Sequence, residues 1–129
     1  MRPVAGALVT PFGVGRDGAT GAWLFRAAAS FAAKPSELVR SPADARVARV
    51  AGSVAGGAAV VLSLAASAAQ PEGWTVVVSG LASVAVAPGE TVGRGEALGT
   101  ARAAPASTVR VETWRGRSPV DPAAVLCDH

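Results

Sequence analysis

The chain is 129 residues long, half of them apolar and only 16% charged, which excludes an intrinsically disordered chain and suits one domain over residues 1–129 with one hydrophobic core. Eleven of the twelve basic residues are arginines scattered singly among apolar neighbours, Lys34 being the exception, and the formal charge is +3. No clustered basic stripe marks a nucleic-acid surface, so no nucleic-acid partner is expected.

Residues 1–37 carry Pro3, Gly6, Pro11, Gly13, Gly15, Gly18 and Gly21, which reads as loops around one extended segment at 7–10. Over 23–34 the Ala, Leu, Phe and Arg content predicts a helical turn or two. Beyond Val39 the pattern changes to short β-favouring runs at 46–51, 58–65, 74–79, 83–87, 97–102 and 108–114. Turn residues at Gly56-Gly57, Pro71-Glu72-Gly73, Pro88-Gly89 and Gly93 to Gly95 separate them. Short strands at this even spacing predict an all-β fold, an antiparallel β-sandwich or partly open barrel. The core must be built from small pieces, because the chain has three Phe, three Trp and no Tyr, and thin sheet layers suit such residues.

The 16-residue apolar run at 54–69 is shorter than the roughly 20 residues a helix needs to cross a bilayer and is diluted by Gly, Ser and Ala. It reads as a buried strand pair, and no membrane span is expected. The first residues lack the basic-then-apolar order of an export signal. The expected compartment is therefore the cytoplasm or a particle, or the cell envelope if a leader or flanking domain supplies the address.

Candidate chemistry is sparse. Cys127 is alone, so no intrachain disulfide forms. Cys127, Asp128 and His129 cannot complete a tetrahedral zinc site without further histidine or cysteine, and His129 as the base of a Ser–His–Asp triad would rest on the terminal residue. Gly13-Val14-Gly15-Arg16-Asp17-Gly18 fits the G-x-G-x-x-G pattern but lacks a βαβ context, so it reads as a loop.

Four stretches carry a family resemblance. VAVAPGETVGRGEALG at 84–99 resembles the glycine-punctuated hairpin shared by lipoyl/biotinyl domains and LytM-type (lysostaphin-like) zinc endopeptidases, with Val86, Val92 and Leu98 as apolar anchors. A lipoyl or biotinyl carrier needs a lysine at the hairpin tip, and Lys34 lies far from it, which excludes that function. PVAG at 3–6 with TPFG at 10–13 resembles the opening segment of the LytM-type family. VRSPADARV at 39–47 resembles its strand after the zinc motif, with Ala45 where glycine is usual. VETWRGRSPVDP at 111–122 resembles its closing strand and turn.

The resemblance covers nearly the whole chain and implies a LytM-type fold. It also implies a zinc site built from H-x-x-x-D, H-x-H and a further histidine before the hairpin. Counted from the matched stretches, those positions fall on Arg26 and Ser30, on Thr108 and Arg110, and on Gly80. None can take its family role, since a guanidinium offers zinc no lone pair and the chain's one histidine is His129. The expectation is a pseudo-enzyme with no cofactor, no metal and no catalytic residue. Arg26, Arg110, Glu112 and Trp114 are its candidate binding residues for a carboxylate or a partner's surface. The implied role is binding, regulation or assembly in cell-wall remodelling, with a cell-wall hydrolase, a divisome protein or peptidoglycan as partner. The alternatives are a structural component of a phage tail or injection particle, and an active zinc endopeptidase.

Overall fold

The computed structural model describes residues 3–6, 8–16, 19–53, 57–64, 73–102, 108–116 and 118–122. Among them every element is a strand: β1 (Leu8–Thr10), β2 (Gly13–Arg16), β3 (Trp23–Arg26), β4 (Ala28–Ala32), β5 (Leu38–Arg40), β6 (Ala45–Ser53), β7 (Gly57–Leu64), β8 (Trp74–Val84), β9 (Thr91–Val92), β10 (Ala97–Ala101), β11 (Thr108–Arg115) and β12 (Ser118–Val120).

Ten of these strands form an antiparallel sheet in the order β1-β4-β11-β8-β7-β6-β9, with β12 on β11 and β10 bridging β8 to β5; β2 and β3 form a separate ribbon. Period-two alternation decides which residues face inward. Val60 and Leu62 of β7, Val76, Val78 and Leu81 of β8, and Val109 and Val111 of β11 are completely buried and meet Phe31, Val39, Val47, Val92 and Leu98 in one core.

The helical turns predicted over 23–34 are absent. Trp23–Arg26 and Ala28–Ala32 are strands instead, because Ala29 and Phe31 complete the core only as alternate residues beside β11, at Val111 and Val109. A weak helix propensity yields to that pairing. The run at 83–87 is likewise no separate strand: β8 continues to Val84, and 85–87 lie outside the sheet. Of the apolar run at 54–69, residues 57–64 form β7. Residues 54–56 and 65–69 lie outside the described residues, as do Pro71, Glu72 and the 127–129 cluster. No described helix is long and apolar enough to cross a membrane.

The glycine-punctuated segment at 84–99 folds as two tight turns. Glu90 N–H donates to the Ala87 carbonyl at 3.1 Å and Glu96 N–H to the Gly93 carbonyl at 2.9 Å. Between the turns, β9 leaves the hairpin to pair with β6 at Ala45 and Arg46. Val92 and Leu98 are fully buried, and Val86 packs against the core from its edge.

Strand β8 changes partners partway along. Its residues 75–79 pair with β11, whereas Leu81, Ser83 and Val84 pair with β10. Gly80 marks the change. It bulges out of the register with β7, takes φ +89°, and sits so close to β11 that a β-carbon there would overlap the Thr108 carbonyl oxygen.

Candidate functional site

Strand β11 separates scaffold from chemistry by alternation. Val109, Val111 and Thr113 point into the core, so Thr108, Arg110, Glu112 and Trp114 occupy the opposite face. Arg110 lies directly across from Ser30 on β4 and from Ser79 on β8. Directly opposed residues of an antiparallel pair share a face, with β-carbons about 4.5–5.5 Å apart. A transverse row Ser30–Arg110–Ser79 therefore crosses three strands, with the exposed arginine between two hydroxyls. Thr108 sits two residues along, opposite Ala32, and Glu112 two residues along the other way, opposite Ala28 and Val77. Trp114, opposite Thr75 and Pro119, is half-buried at the end of the lane.

Four of the five positions expected from the sequence thus lie together on β4, β11 and β8: Ser30, Thr108 and Arg110 on one face, and Gly80 against the Thr108 backbone. Arg26 belongs to the other sheet. It pairs with Gly13 on the β2–β3 ribbon, and its guanidinium folds over Gly15, with Nη1 2.7 Å from where a β-carbon of that glycine would lie. Ser79 was missed by the sequence reading. Its place beside Arg110 follows from the register, which no local motif encodes.

The donor set does not fit zinc. Serine and threonine hydroxyls and a guanidinium replace the imidazoles and carboxylate that such a site requires, and Glu112 is the single carboxylate on the lane. Among the described residues no three His, Cys, Asp or Glu side chains gather closely enough to hold a metal ion. The row is instead a hydrogen-bond donor surface, with a forked cation between two hydroxyls, suited to a carboxylate.

A second polar feature fixes the start of the chain. The Glu37 carboxylate accepts the Lys34 N–H at 2.8 Å and the Ala5 N–H at 3.1 Å, and Arg40 N–H donates to the Pro3 carbonyl. The Lys34 amide first, then the Ala5 amide, hold the Glu37 carboxyl below its ordinary range, with the Lys34 charge adding a smaller effect.

No protein-family model matches the sequence, and no curated protein matches it either. Solved structures do match. The chain superposes on Helicobacter pylori Csd3 with a TM-score of 0.79 at 19% identity, covering 99% of this chain and 34% of that one. A zinc-containing peptidase from Vibrio cholerae gives 0.76 at 19% identity, covering 99% and 39%. The catalytic domain of lysostaphin from Staphylococcus simulans gives 0.71 at 15% identity, covering 95% and 93%. The fold is therefore that of the lysostaphin-like, M23-type peptidases, as the four sequence stretches imply. The chain spans well under half the length of the Csd3 and Vibrio cholerae chains, and about the whole of the lysostaphin catalytic domain.

Proposed function

We propose that this domain is a peptidase fold without catalysis, retained as a binding or assembly module that recognises carboxylate-bearing peptide, in the setting of cell-wall remodelling. The observation that carries the reading is the Ser30–Arg110–Ser79 row. It lies on the same lane as the positions where the resemblance puts zinc ligands, yet its side chains cannot bind zinc and can bind an anion. Arg110 offers a bidentate fork, the two serines offer flanking hydroxyls, and Trp114 gives an aromatic rim for the rest of a ligand. Glu112 disfavours a second negative charge at that end, which gives the lane a direction. The resemblance of the four sequence stretches to LytM-type endopeptidases supports the cell-wall setting, and one solved neighbour is the catalytic domain of the antimicrobial peptidase lysostaphin.

Two measurements test the proposal. Purified protein is expected to contain no stoichiometric zinc, to leave peptidoglycan uncut, and to co-sediment with purified peptidoglycan in a manner that Arg110→Gln abolishes. Stoichiometric zinc with chelator-sensitive hydrolysis would overturn it, and so would binding indifferent to Arg110→Gln. The lane can also be rebuilt. Thr108→His and Arg110→His with Ser30→Asp is expected to gain zinc affinity, measured by metal analysis and titration; no gain would count against the assignment of those positions.

A further inference from the structure

The β2–β3 ribbon carries most of the large apolar side chains that the described residues expose. Val14 is 71% exposed, Trp23 65% and Phe25 58%, with Leu24 also exposed. Alternation distributes them over both faces. On one face Val14 pairs with Phe25 and Arg16 with Trp23. The Arg16 guanidinium lies 4.7 Å from the Trp23 ring centroid, and Phe12 meets Phe25 edge-on with centroids 5.4 Å apart. On the other face are Gly13, Gly15, Leu24 and Arg26. Neighbouring β1 repeats the pattern, since consecutive Leu8 and Val9 are both exposed.

Each face of the ribbon therefore combines exposed apolar surface with one arginine. Neither strand contains a carboxylate, and Asp17 is the single acid between residues 13 and 26. A flat protein surface or a second copy stacked on the ribbon would cover one face and leave the other in water. Apolar surface on both faces, with cations and almost no anions, matches a medium that surrounds the ribbon and carries negative charge. We infer that the ribbon inserts shallowly into an anionic phospholipid surface. Trp23, Phe25, Leu24 and Val14 enter the boundary between headgroups and acyl chains, and Arg16 and Arg26 meet the phosphates. Tryptophan suits that zone because its body is apolar and its N–H polar. An arginine stacked along a ring can bury its stem and still reach the headgroups. This is peripheral attachment, in which buried apolar area and charge act together. It is independent of the Arg110 lane.

The test uses the intact chain with vesicles of phosphatidylcholine alone or mixed with phosphatidylglycerol, read by flotation and by quenching of tryptophan emission with brominated lipid. Binding is expected to the phosphatidylglycerol vesicles and to weaken as salt rises from 0.1 to 0.5 M, because the arginine contribution is screened. Trp23→Ser with Phe25→Ser should weaken it at least about tenfold without changing the circular dichroism, since neither residue belongs to the core. Arg16→Gln with Arg26→Gln should reduce it to the phosphatidylcholine level, and this second pair decides the matter if the first fails to fold. Failure to bind phosphatidylglycerol vesicles, or equal binding by these variants, overturns the inference. So does a dimer in sedimentation velocity that Trp23→Ser with Phe25→Ser dissolves while vesicles stay unbound.

Discussion

The two faces of β11 carry different kinds of sequence. The inner face, Val109, Val111 and Thr113, is wholly buried, and its residues are what any strand in this layer must supply. The outer face, Thr108, Arg110, Glu112 and Trp114, bears no residue that the core requires. Because successive side chains of a strand point to opposite sides, fold and chemistry occupy alternate positions and can diverge separately. Changing 108 and 110 therefore leaves the packing at 109 and 111 untouched.

Substitutions can break or sharpen this contrast, beginning with the largest effect. Gly80→Ala imposes a β-carbon on a residue at φ +89° and against the Thr108 carbonyl, and should cost about 3 kcal/mol or more in urea denaturation. Val111→Ala should cost about 2 kcal/mol by the same measurement. A cost for either below about 0.5 kcal/mol would mean that the inner layer is not packed as described. Thr113 is the exception on the inner face, since its hydroxyl is buried without a hydrogen-bond partner. Thr113→Val keeps the shape and removes the desolvated group, so it should stabilise by about 1 kcal/mol.

Glu37 adds a smaller, pH-dependent contribution. Its folded pKa is depressed, so the stability it provides is fully present above the ordinary glutamate pKa and is lost as pH falls through the depressed value. The group is solvent-accessible, which keeps the effect below about 1 kcal/mol. Glu37→Gln should flatten the acid limb of a thermal-melting profile and leave the neutral region nearly unchanged. Arg110→Gln should be smallest in stability, within about 0.5 kcal/mol, while removing carboxylate binding in a calorimetric titration.

The strands that supply the core were legible because short runs rich in valine and leucine, as at β7, β8 and β11, stand between turn residues. The helix predicted over 23–34 shows where such reading fails. Alanine suits either state locally, and only the pairing of Ala29 and Phe31 with β11 decides. Four of the five candidate positions came together because they were counted from matched stretches on adjoining strands. Arg26 did not, since Ala27 separates two strands belonging to different sheets. Ser79 escaped because cross-strand register is set by the whole layer. The ribbon's exposure was hidden for a related reason: Trp, Leu, Phe and Val read as core residues until their surroundings are known.

The partner change of β8 at Gly80 has a consequence for how the domain comes apart. Hydrogen-bonded to β7 along one edge and to β11 and then β10 along the other, β8 leaves no seam along which either layer could open alone. Its amides should therefore exchange with solvent only through global unfolding, while those of the β2–β3 ribbon exchange through local fraying. The molecule would then behave as one cooperative block with a loosely held flap.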